Sequence, residues 1–178
     1  MLIANDTKKN NIVEYVLLIW QVENLLRAFQ FDMQIVEEKL IRPQGYDQNT
    51  IEQEKEWYAD IILQMKMERI EKEGHLSFSK DIVMELAFLH QSLLNEMNDR
   101  EYKQLYTICA SDIIELKKKQ KGATKNDVDS CITGLYMYWL LKLSKQEISV
   151  ETSTAMNKIA KLMAYLSKKY KELMYLKN

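Results

Sequence analysis

One proline and four glycines are all that punctuate 178 residues. No other feature restricts the possible folds as much. Residues that stop helices are nearly missing, while Lys, Glu, Leu and Met, which keep most of their side-chain freedom in a helix, are plentiful. A chain so composed is predicted to run as long helices joined by short loops.

Apolar periodicity and capping residues divide the chain into six such helices. The first spans about Thr7 to Gln30 behind Asp6 or Thr7, and Asp32 recaps a short continuation to Ile41. RPQGYDQN, with Pro43 and Gly45, is the clearest loop. The second starts after Asn49 or Thr50, runs to about Glu73 and stops at Gly74. The third runs from Ser77 or Ser79 to about Asn98. The fourth covers about Asp99 to Lys121, with its lysines at the negative end of the dipole. The fifth is capped by Asn126 and reaches about Lys145. The sixth is capped by Ser149. Its Met156, Ile159, Met163, Leu166, Tyr170 and Leu173 alternate steps of three and four, which makes one apolar stripe.

No segment alternates like a strand. The expectation is an all-α, single-domain bundle over residues 1–178, with about six helices and mostly antiparallel neighbours. The fifth helix is apolar nearly all round through Leu135–Leu141. It is therefore expected to be central, or covered by a second copy in a homodimer.

Composition closes off several functions. A net charge of −1 supplies no field for nucleic acid or membrane, so neither is expected as a partner. Lys117–Lys121 and KKYK at 168–171 are expected to be solvated helix ends and faces. Cys109 and Cys131 are too few for a disulfide framework and read as small core residues of a reducing compartment. YVLLIW and LYMYWLL fall far short of a membrane span. The N-terminal MLIANDTKKNN lacks a signal-peptide pattern, which points to the cytoplasm. The two histidines, His75 and His90, have no Glu three residues before them, and the cysteines are not clustered, so no metal and no cofactor is expected. No phosphate loop, nucleophile elbow or H-E-x-x-H occurs.

Candidate site residues come from polar groups on apolar faces. On the helical wheel, Glu23 of YVLLIWQVENLLRAF falls between Ile12 and Val16, with Trp20 nearby and Arg27 at i+4. A buried carboxylate needs a cation or donors, and Arg27 is the nearest in sequence. The pair is expected to be either a structural ion pair or the floor of a ligand pocket. His90 lies among Leu86, Leu89 and Leu93, and is either a satisfied core histidine or a site residue facing Glu23 or Arg27. Asp112 and Lys142 are further inward-facing polar residues. His75, after Gly74, is as suited to ending a helix as to chemistry.

WQVENLLRAF, EKEGHL, ELAFLH and LYMYWLLKL together resemble the bacterial Domain of Unknown Function 4924 family. The resemblance implies a single helical, cytosolic domain and supplies no catalytic residue. Two readings of function follow. One is a helical interaction or structural protein, suggested by the missing catalytic motifs and by Tyr136, Tyr138, Trp139 and Tyr165. The other is a small-molecule binder or enzyme with an interhelical pocket at Trp20, Glu23, Arg27 and His90.

Overall fold

A computed structural model describes residues 2–175, without the side chains of residues 2 and 175. The described residues form eight α-helices and no strand. They are α1 (Leu2–Asn10), α2 (Ile12–Ala28), α3 (Met33–Val36), α4 (Gln48–Met67), α5 (Ser77–Leu94), α6 (Arg100–Lys119), α7 (Asp127–Leu143) and α8 (Val150–Tyr175). The all-helical expectation holds, and the count of six is corrected to eight.

Two features account for the difference. The predicted first helix is divided at Asn11 into α1 and α2, and the Ile12 N–H that opens α2 donates to Ser167 Oγ at 2.9 Å. The continuation after α2 is a helix in its own right. Gln30 and Phe31 take left-handed φ values of 53° and 60°. Asp32 Oδ1 then accepts from Gln34 N at 2.8 Å and caps α3, as its position suggested. The coil continues through a π-turn at Glu37–Ile41 and a 3-10 turn at Arg42–Gln44, and stops at Gly45, φ 71°.

The end of α4 is the correction that matters for the site. Gly74 does not end this helix. Arg69, two residues after Met67, does so with φ 56°, its N–H bonded to Lys66 O and that of Ile70 to Met65 O. This is the two-bond ending that glycine normally supplies. Gln30 after α2 and Lys145 after α7 repeat it. A left-handed non-glycine costs about 1–2 kcal/mol, so each is held by what surrounds it rather than by preference. Residues 68–76 are thereby released from helix and become a loop.

The chain forms two compact units. Among the described residues, the first holds 2–10 together with Glu14–Asp81; the second holds Asn11–Val13 and 82–175. In the first, α2 buries Val16, Ile19, Trp20 and Leu26, and α4 buries Ile51, Ile61, Ile62 and Met65. In the second, α6, α7 and α8 pack on one another. Met156, Ile159, Met163 and Leu166 are buried along α8, as the stripe required. A Cβ at Gly134 would lie 2.6 Å from the Leu116 side chain, so α7 and α6 approach closely there.

The second half of α7 is not enclosed within its unit. Met137 is 52 % and Leu143 66 % exposed. Lys142 is exposed as well, with its ammonium 4.3 Å from the centre of the Tyr138 ring, which corrects the expectation that it faces inward. Asp112 is half-buried and bonded to Lys158 at 3.0 Å.

Candidate functional site

Glu23 is 0 % exposed, as its place on the helical wheel required. Its partner is not Arg27. Oε2 lies 2.6 Å from His75 Nδ1, and Oε1 accepts from Leu76 N at 2.9 Å. Arg27 spends its guanidinium elsewhere. Nη2 donates to Ile70 O at 3.0 Å and Gly74 O at 2.5 Å, Nε to Ile70 O at 3.2 Å, and Nη1 to Asn24 Oδ1 at 2.9 Å. The expected ion pair is therefore replaced by two separate holds on one loop. The reason is electrostatic. The loop brings backbone carbonyls to Arg27 and an N–H plus an imidazole to Glu23, and each then meets groups of the sign it needs.

The same loop is locked from its other side. Glu68 Oε2 accepts from both Ser77 N and Ser77 Oγ, at 2.8 and 2.7 Å. Leu76 precedes α5 and has no side-chain group with which to cap it, so Glu23 satisfies its N–H. Trp20, buried on α2, stacks on His75 with ring centres 4.0 Å apart and planes 15° apart. Its indole N–H donates to Ser79 Oγ at 3.3 Å, and Ser79 in turn donates to Leu76 O at 2.8 Å. The His75 side chain remains 30 % exposed. A carboxylate can only accept, so Nδ1 carries the hydrogen of the neutral ring and Nε2 the lone pair. Among the described residues, Nε2 has no hydrogen-bond partner.

Trp20, Glu23 and Arg27 thus meet around residues 70–76. Nothing in the sequence favours His75 over a helix-ending role, although EKEGHL and WQVENLLRAF, the two stretches that form this cluster, both stand out. What hid the contact was the position of the α4 end.

His90 belongs to the second unit. It is 3 % exposed, with Nδ1 2.7 Å from the buried Tyr102 hydroxyl. Its Nε2 is the one buried side-chain N or O atom among the described residues with no hydrogen-bond partner. The Tyr106 ring stands edge-on to it at 5.1 Å. Tyr106 donates to Asp127 at 2.7 Å, and Lys117 donates to the other oxygen at 2.7 Å. Burial opposes ionisation of Asp127, yet Lys117 and Tyr106 outweigh it and hold the carboxyl below its ordinary range. Burial pushes the Tyr106 hydroxyl up to about 12 and the Cys109 thiol up to about 11, and moves Cys131 the same way. Both thiols are buried and protonated at neutral pH, as core residues should be.

Burial also lowers the His90 pKa below its ordinary 6.5, against the pull of Asp127. The unfolded chain therefore takes up this proton at higher pH than the folded one. Stability is complete above 6.5 and falls as pH drops from there toward the depressed folded value. Urea midpoints at about pH 7.5 and about pH 5.5 should show a loss in the parent that is smaller in His90→Gln.

A third group escaped the sequence reading. Glu54 is buried on α4 beside a cavity of ≈ 80 Å³ whose wall includes Leu18, Val22, Tyr46, Trp57 and Tyr58. Burial, then Glu54 and Tyr46, raise the Tyr58 hydroxyl to about 12. The signal was present. Ile51, Glu54, Tyr58, Ile61 and Met65 alternate steps of three and four, which sets Glu54 on the inner stripe. Among the described residues, no three His, Cys, Asp or Glu side chains gather to hold a metal, and no helix is long and apolar enough to cross a membrane.

A family model described as Domain of unknown function (DUF4924) matches residues 1–174, and the chain belongs to that family. No curated protein and no solved structure matches it.

Proposed function

We propose that this chain is a cytoplasmic helical interaction protein of bacteria. In this reading it folds as a single-domain bundle, mostly of antiparallel neighbours, and works as a homodimer. The observation that carries it is the second half of α7. Scattered apolar residues on a surface need no explanation. Here they follow one another along one helix. Met137 and Leu143 are exposed, and the residues from Tyr138 to Leu141 are only half-buried. Aromatic and methionine side chains of this kind supply large contact areas at interfaces. A second copy offers the same helix, which suits a two-fold, self-complementary contact. The two buried, protonated cysteines suit a reducing compartment.

Light scattering at micromolar concentration should give about twice the 21.1 kDa chain mass. Met137→Glu with Leu143→Glu should give the single-chain mass with the helical spectrum intact. A native particle of single-chain mass would overturn the reading.

A further inference from the structure

We propose that His75 Nε2 is a nucleophilic site for small activated acyl compounds, with Glu23 as its positioning residue. Three contacts fix the imidazole before any ligand arrives. Glu23 holds Nδ1 at 2.6 Å, Trp20 covers one face at 4.0 Å between ring centres, and Ser79 anchors the indole N–H at 3.3 Å. The one ring atom left with an available lone pair is Nε2, on a side chain that is partly exposed.

The burial of Glu23 decides what such a ring is suited to. When an imidazole attacks a carbonyl carbon, positive charge develops on the ring. A buried carboxylate bonded to Nδ1–H stabilises that charge more than it stabilises the neutral ring. The gain is therefore realised in the reaction rather than in resting contact. The alternative use of an Nε2 lone pair is metal ligation, for which a carboxylate behind the ring is also common. That use needs further donors, and the described residues gather no such set.

The step balances without a co-reactant other than water. Nε2 forms a bond to the acyl carbon, and the leaving group departs with its electron pair. The ring is then an acyl-imidazolium whose Nδ1 proton stays on the Glu23 bond. Water attacks the same carbon, the C–Nε2 bond breaks, and the ring recovers its lone pair. The products are the carboxylic acid and the protonated leaving group.

Two histidines in the whole chain make the test clean. The full chain is treated with diethyl pyrocarbonate, and each histidine is followed by peptide mass spectrometry. His75 is expected to react faster than free N-acetylhistidine, and His90, buried and bonded to Tyr102, more slowly than His75. Glu23→Gln keeps an acceptor for Leu76 N and removes the charge. It should slow the His75 reaction about 10-fold or more with an unchanged circular dichroism spectrum. A His75 rate no higher than that of N-acetylhistidine, or one unchanged in folded Glu23→Gln, would overturn the proposal. Nitrogen-15 shifts of the native ring in alkaline buffer give a test that requires no variant. Hydrogen on Nδ1 supports the proposal, and hydrogen on Nε2 refutes it.

Discussion

Glu23→Ala is expected to lower the unfolding free energy by about 3 kcal/mol or more, read as a fall in the urea midpoint at unchanged slope. The carboxylate has no exposure to water. Removing it leaves the Leu76 N–H without an acceptor at the start of α5, and leaves His75 without its Nδ1 partner. A bond from a neutral donor to a charged acceptor contributes about 1.5–3 kcal/mol, and two are lost. Arg27→Ala should cost less, about 1–2 kcal/mol, because the Gly74 carbonyl it releases is exposed to water and the Ile70 carbonyl is only part-buried. Had the two residues formed a pair with each other, each deletion would orphan the other and the two losses would be alike. The unequal losses are therefore the result that separates the observed arrangement from the one the sequence suggested. Equal losses, or a Glu23→Ala chain as stable as the parent, would contradict it.

The contrast shows what kind of information a helical sequence carries. Burial of Glu23 was legible, because a 3.6-residue period assigns every position on a helix to a face. The stripe of α8 was legible for the same reason, and so were the caps at Asp32, at Asn126, which accepts from Asp129 N, and at Ser149, which accepts from Thr152 N: each is a pattern within a few residues. The partner of Glu23 was not, since it comes from 52 residues away in sequence. Only the i+4 neighbour is visible at short range, and Arg27 filled that place. The loop that carries His75 was hidden by Arg69, which ends α4 in a conformation that sequence rules reserve for glycine. Gly74 gave the wrong end for that helix. It lies in the loop at φ 93°, with its carbonyl turned to Arg27. Glu54 was a different kind of miss, since its inward position follows from spacing alone.

The second large effect is expected at Tyr102, which is fully buried on α6. Tyr102→Ala should cost about 3–5 kcal/mol, the range for deleting a buried aromatic ring. The ring packs against His90 and Tyr165, at 5.7 and 6.0 Å between centres. Tyr102→Phe isolates the hydroxyl. It keeps the ring and removes the one hydrogen bond of His90, whose other nitrogen already has none. Both ring nitrogens would then be buried without partners, and a loss of about 1–3 kcal/mol follows. Burial raises the Tyr102 pKa, so at neutral pH the group concerned is a phenol and no charge is removed with it. Adding His90→Leu to Tyr102→Phe takes away the orphaned imidazole and replaces it with a side chain suited to the site. The double variant should regain most of the loss, because matched removal of two polar partners is close to neutral. It should also lose the decline in stability on acidification that His90 imposes. Recovery with the acid decline intact would assign that decline to another group, and a Tyr102→Phe chain as stable as the parent would mean that the bond contributes nothing to the fold.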